Sequence, residues 1–404
     1  QLAFSTQPGD GAAGAPLSVQ PVVTVLDVVG NVVTTDDTTV VSLAIADGTP
    51  TSGGPGTLTC EPAQVTNGVA TFADCSIDQA GSGYRLTATS EPPLAEATSD
   101  DFAITGLQRI FGQTAIDTSI EISQQSFPGD DSADAVVLAR SDFFSDALAG
   151  GPLAADRNAP LLITPGAGQS SVLDPRVLDE IERVLAEGST VYILGGPLAL
   201  STGIDTQLDD AGYDTERVAG PNLFATAVEI ADELGNPDTI FEATGLNFPD
   251  ALSAVPAAIK TGGAILLTNG PKQSPETAAY LAANQPDTRY AIGGPLAAAG
   301  ADPGAIEVSG QDLFGTSAAV ADRFFPDPDS FGVATGADYP DALSGGVFMA
   351  TGGRMGPMLL VNRNLPLPPT IADYLETLDP VPGFVFGGPL AVSVEVEEAI
   401  VDLL

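Results

Sequence analysis

The sequence contains no histidine and no tryptophan. Without histidine there is no Ser-His-Asp or Cys-His arrangement, no His-ligated zinc and no conventional general base near neutral pH. Lysine is almost missing as well, with only Lys260 and Lys272 present. Thirteen basic residues face 53 acidic ones, a formal net charge of −40 over 404 residues. That field repels phosphate backbones and anionic lipid, and so removes nucleic acid and membrane surfaces as partners. It also drives the folded chain apart unless cations screen it, which predicts a salty or divalent-rich environment with calcium as the candidate ion. A solvated acidic surface kept for solubility is the alternative. Long apolar runs are lacking too, since none approaches the ~18–20 residues of a membrane span. Cysteine is confined to Cys60 and Cys75. A pair in one small segment suggests a local disulfide closing a hairpin, with two buried thiols as the other possibility. The first residue is Gln1, which reads as a mature or trimmed extracellular chain.

What is present is repetition. Ala135 to Leu148, Thr239 to Leu252 and Ser330 to Leu343 align without gaps, each closing on Phe/Tyr-x-Asp-Ala-Leu. Downstream of each comes Gly-Gly-Pro-Leu-Ala, from Gly195, Gly293 and Gly387. Upstream of each lies Gly-x5-Thr-[Ala/Ser], from Gly112, Gly220 and Gly310. Ordered markers in three copies make the repeat the unit of fold. Boundaries follow at residues 106–216, 217–306 and 307–404, after a distinct segment 1–105.

Within a repeat, β-branched apolar runs such as Thr239 to Ala243 and Ala264 to Thr268 alternate with segments of helical period such as Phe224 to Leu234. Ser274-Pro275 and Asp174-Pro175 are helix starts, a capping side chain followed by proline at the first position. Alternation of this kind means parallel strands with helical crossovers, so each repeat is expected to be a small Rossmann-like α/β domain. Segment 1–105 has short runs such as Thr39 to Ala44 between turn signals such as Asn67-Gly68, and no helical period. That is an antiparallel sandwich. Its stretches Val25 to Asn31, Asn67 to Phe72 and Ala80 to Ala88 resemble bacterial immunoglobulin-like surface modules. Asp27, Asp36 and Asp37 are candidate calcium ligands there, and turn capping is the competing role.

The aspartates Asp146, Asp250 and Asp341 should stand at the carboxyl edge of a parallel sheet, where a helix begins. Ligands of open α/β sheets bind at that edge, but a carboxylate there also caps the helix without any ligand. The pairs Gly195-Gly196, Gly293-Gly294 and Gly387-Gly388 permit tight turns. No phosphate-loop or dinucleotide motif accompanies them, which leaves turn geometry and domain packing as their role. Catalytic carboxylate pairs are asymmetric, whereas these aspartates recur identically, a pattern that suits avidity or architecture and not an active centre.

With these residues in view, the last three hundred positions resemble the cell wall binding repeat type 2 family of Gram-positive surface proteins. The carrying motifs are Gly-x5-Thr-[Ala/Ser], Phe/Tyr-x-Asp-Ala-Leu, the strand Ala159 to Thr164 and Gly-Gly-Pro-Leu-Ala. The resemblance implies Toprim/Rossmann-like repeats packed as a pseudo-threefold trimer within one chain. It also implies noncovalent anchoring to an anionic wall glycopolymer, the leading domain displayed outward, with Asp146, Asp250, Asp341, Thr118, Thr226 and Thr316 as its motif positions. The family usually carries Asp-Arg-Tyr before the threonine. Here the arginine position reads Ala115, Leu223 and Leu313, so the cation that would meet an anionic polymer is missing three times. Leu223 and Leu313 suggest instead an apolar seam between repeats or chains. The expectation is a secreted, non-enzymatic surface protein without cofactor. Its alternative is a self-assembling surface-layer or filament subunit that uses copies of itself as partner.

Overall fold

The computed structural model describes residues 1–14, 16–53, 55–144, 146–378 and 381–404. Two compact units emerge, one built on Gln1–Gln108 and one on Arg109–Thr377 with Phe384–Leu403.

The first unit is all β among its described residues, consistent with an immunoglobulin-like domain. Leu2–Thr6, Val22–Val25 and Val69–Thr71 form one antiparallel sheet. Ala97–Thr98, Leu86–Glu91, Val40–Ile45 and Ala63–Gln64 form another. Alternate residues of these strands, among them Val23, Val25, Val41, Leu86 and Ala88, point into one core, as the two-residue period requires. Cys60 and Cys75 are bonded, their Cα atoms 4.4 Å apart, beside the paired strands Leu58–Thr59 and Ser76–Ile77. The candidate calcium ligands serve turns. Asp27 Oδ1 accepts from the N–H groups of Val29 and Asn31, both at 2.9 Å. Asp36 accepts from Thr38 and Thr39, and Asp37 from the Asn67 N–H at 2.6 Å. Among the described residues no group of three acidic, Cys or His side chains converges as a metal site would need.

The second unit holds the three repeats. In repeat one, parallel strands run in the order Leu161–Thr164, Ala133–Arg140, Leu185–Leu194, Asp214–Val218. Repeat two gives Ala264–Thr268, Thr239–Thr244, Thr288–Ile292, Ile306–Val308 in the same order. In repeat three Met358–Val361 and Phe331–Thr335 pair in parallel, and Pro382–Phe386 lies beside them. A leading helix opens each copy: Ala115–Ser126, Leu223–Glu233 and Leu313–Phe324. A central helix follows the first strand: Gly150–Asp156, Pro249–Thr261 and Pro340–Phe348.

The three central helices pack against one another. Gly151, Val255 and Gly346 are equivalent in the alignment, and they meet in one layer. A β-carbon added at Gly151 would lie 2.4 Å from Val255 Cγ1, and one at Gly346 3.1 Å from it. The layer has room for one branched side chain, and the two glycines provide it. Above it, Phe144, Phe248 and Tyr339 contact one another with ring centroids 5.6–5.7 Å apart. Polar ties cross the copies as well. Tyr339 donates to the Ser141 carbonyl, Ser344 to that of Leu161, and Lys260 to that of Phe324.

One core position breaks the pattern. Where repeats one and three bury Leu138 and Val333, repeat two buries Glu242, fully out of solvent. Gln273 donates its amide to Glu242, and Asp302, itself paired with Arg289, hydrogen-bonds it from the other side. Burial pushes the Glu242 carboxyl up to about 8.

Candidate functional site

The Gly-x5-Thr motif is a closed loop at the start of each leading helix. The N–H groups of Gly112, Gly220 and Gly310 donate to the hydroxyls of Thr118, Thr226 and Thr316, each at 3.2 Å. All three threonines are buried. The glycines are obligatory because the helix backs onto them: a β-carbon at Gly310 would stand 2.1 Å from the Gly315 backbone. The loop is capped by Thr114, Asn222 and Asp312, whose side chains accept from the helix N–H groups.

The aspartates sit beside the double glycine of their own copy. Gly195, Gly293 and Gly387 have φ of 91°, 99° and 98°, a left-handed conformation that suits glycine. A β-carbon on them would press on Asp146, Asp250 and Asp341, within 2.8, 2.4 and 2.3 Å of a carboxylate oxygen. Asp250 and Asp341 are the second residues of their helices, behind Pro249 and Pro340. Asp146 departs from the expectation of a helix start. It lies in a turn, and the helix begins only at Gly150. Repeat one lacks the proline that pre-sets the first helical φ in the other two, and glycines at 150 and 151 weaken the local preference. Burial pushes the carboxyls of Asp250 and Asp341 up to about 6. For Asp341 the Thr118 hydroxyl works against that shift and the Asp338 charge adds to it.

That contact joins copies, because Thr118 belongs to repeat one and Asp341 to repeat three. The topology explains it. The last strand of each sheet leads straight into the next Gly-x5-Thr loop, so the aspartate of one copy faces the threonine of the following one. Gly195 donates to the Val218 carbonyl at 2.9 Å, and Gly293 to that of Val308 at 3.0 Å. For repeat three the partner comes from the beginning of the unit: Gly387 donates to the Ile110 carbonyl at 3.1 Å. Two clefts result. One, of about 560 Å³, is lined by Asp250, Gly293 to Ala297 and the loop from Gly310 to Thr316. The other, of about 390 Å³, is lined by Asp341, Gly388 to Ala391 and the loop from Gly112 to Thr118. On their rims Leu296 and Leu390 are each 88% exposed, and the equivalent Leu198 is 91% exposed.

Two residues that sequence reasoning missed brace these loops. Arg217 donates to the Gly195 carbonyl at 2.7 Å and pairs with Asp205. Arg109 donates to the Gly387 carbonyl at 2.8 Å and pairs with Glu397 at 2.6 Å. Each stands three residues before the motif glycine, in Arg109-Ile-Phe-Gly112 and Arg217-Val-Ala-Gly220, a spacing legible in the sequence. The third copy reads Glu307 at that place.

Leu223 and Leu313 are half-buried, and each packs inward. Their Cδ1 atoms lie 2.4 Å from where β-carbons of Gly245 and Gly336 would stand, within their own repeats. Repeat one makes the complementary exchange, Ala115 opposite Ser141. Leu313 also lines the cleft of Asp250, on the boundary between repeats two and three. Leu223 and Leu313 thus fill space over the strand ends of their own repeats.

Comparison with known proteins adds the family. The sequence model of cell wall binding domain 2 (CWB2) matches residues 109–205, 217–299 and 307–397, most of the chain. The chain belongs to the CWB2 family. Membership assigns the repeats to cell-wall binding and the protein to the cell wall or cell surface. The N-acetylmuramoyl-L-alanine amidase LytC of Bacillus subtilis (strain 168) is 25% identical over 248 residues, 60% of this chain and 48% of that protein. The amidase enhancer of the same organism is 30% identical over 177 residues, 44% of this chain and 23% of that protein. The chain therefore spans less than half the length of either. Among solved structures, Cwp8 from Clostridium difficile has a TM-score of 0.65 at 21% identity, covering 80% of this chain and 60% of that one. Cwp6 from Clostridium difficile gives 0.68 at 17%, covering 100% and 68%. These structures share the fold. Among the described residues no helix is long and apolar enough to cross a membrane.

Proposed function

We propose that this is a non-enzymatic cell-surface protein held noncovalently to a wall glycopolymer by its CWB2 repeats, with the β-sandwich of residues 1–105 as the displayed part. The repeats, 106–216, 217–306 and 307–404, are Toprim/Rossmann-like copies about a pseudo-threefold axis through the central helices. The observation that carries the reading is the pair of clefts in which all three family motifs converge from two copies, repeats two and three in one and repeats three and one in the other. In this role Asp250 and Asp341 with Thr316 and Thr118 shape the binding surface. Asp146 and Thr226 are their counterparts, and the double glycines are turns. Several weak sites on one polymer would add through avidity. Sedimentation of the purified chain with isolated cell walls tests this. Retention on walls that survives protease treatment of those walls supports it, and a chain that stays in the supernatant with every wall fraction rejects it.

Self-assembly is the second reading, favoured by the three equivalent exposed leucines, Leu198, Leu296 and Leu390. Apolar side chains repeated on an acidic surface are what a contact between copies would bury. Sedimentation velocity with and without calcium discriminates, because a monomer at all concentrations removes this reading.

A further inference from the structure

We infer that the cleft between repeats two and three takes a sugar residue without negative charge, and is the part of the wall-binding surface that reads uncharged or amine-bearing glycan. The inference rests on the wall-binding reading above and names its ligand class. Among the described residues lining this cleft there is no lysine or arginine, while Asp250 and Asp312 both face it. Glu307 stands close by, its Oε1 3.9 Å from where a β-carbon of Gly294 would be. It occupies the position at which the other two copies place the loop-bracing Arg109 and Arg217. The apolar side chain of Leu313 also lines the cleft. A phosphate or carboxylate entering here would lose its water to a wall of like charge, with no guanidinium to receive it. The other cleft differs in this respect, since Arg363 lines it.

What the cleft does offer matches a pyranose. The exposed amides of Asn247 and Gln311 each supply donors and an acceptor, while the buried hydroxyls of Thr244 and Thr316 are taken up by the backbone N–H groups of Leu246 and Gly310. Asp250 can donate when protonated and accept when ionised, and its carboxyl titrates near 6. Beside these polar groups Leu296 and Leu246 are exposed to 88% and 61%, giving apolar surface for the C–H face of a ring. The volume of about 560 Å³ accommodates one or two sugar units.

The test uses the full chain at fixed ionic strength and two probes, wall glycan freed of phosphate by acid and a poly(glycerol phosphate) polymer. The uncharged glycan is expected to bind about tenfold more tightly. Leu313→Arg should narrow or reverse that preference, and Leu296→Ser, which touches no core, should weaken glycan binding several-fold with the melting curve unchanged. Equal or tighter binding of the phosphate polymer by the natural chain overturns the inference while leaving wall binding standing. Glycan binding unaffected by Leu296→Ser and by Asn247→Ala also overturns it. Failure to bind any wall fraction is the separate outcome that removes the wall-binding reading itself.

Discussion

Glu242 shows how one residue departs from a repeated plan. The other copies fill its place with leucine and valine, so the fold needs only an apolar side chain there. A carboxyl group held at about 8 by burial is protonated at neutral pH and donates within its pair with Asp302. Because the folded-state value lies above that of an unfolded glutamate, near 4.3, folding takes up a proton. Stability from this group is present at low pH and is lost as pH rises through about 8. Asp250 and Asp341, raised to about 6, act in the same direction over a lower window. Glu242→Leu should therefore remove a fall in stability on the order of a few kcal/mol between pH about 5 and pH about 8, levelling off above that. Denaturant unfolding at several pH values checks it, and a natural chain with a flat profile across that range would contradict the pairing. The sequence shows a glutamate inside a strand but not its depth, since Gln273 and Asp302 reach it from elements 31 and 60 positions away.

At the scale of elements, the strands, helices and their order were readable because three copies vote on each boundary. The register of copy against copy was not. Every repeat contains a threonine, an aspartate and a double glycine, and nothing in one copy says that its threonine serves the preceding aspartate. The braces Arg109 and Arg217 escaped notice because the third copy has Glu307 in their place, which hides the recurrence. The central helices carry a similar hidden rule, one valine and two glycines sharing a layer. Gly151→Val alone should overpack it and cost about 1–3 kcal/mol. Adding Val255→Gly to that variant should recover part of the packing loss, beyond any additive expectation from the single changes, in spite of the lower helix preference of glycine. A double-mutant cycle with no coupling would show that the two side chains do not compete for one space.

For the whole molecule the dominant fact is charge. With −40 spread over the chain and turn-capping roles for Asp27, Asp36 and Asp37, the described residues offer no ready cage for calcium. Cations should then act by screening. The melting temperature is expected to rise with sodium chloride, and to rise equally with calcium chloride at matched ionic strength. A sharp gain at low calcium, absent with sodium, would instead reveal a specific site.

Proteins of the wall are pulled upon, and the bond between Gly387 and Ile110 determines how this one yields. The first strand residues of the repeat unit are held by the last copy, with Arg109 fastened to Glu397 across the same join. A tensile load entering at Arg109 must shear this join before any copy can peel away, so the three are mechanically in series behind one latch. Pulling single molecules between residue 109 and the C-terminus should give one high-force rupture followed by rapid extension. Three separate ruptures of similar height would mean that each copy bears load by itself. In a tether, a latch of this kind keeps the grip whole up to a threshold and then releases it all at once.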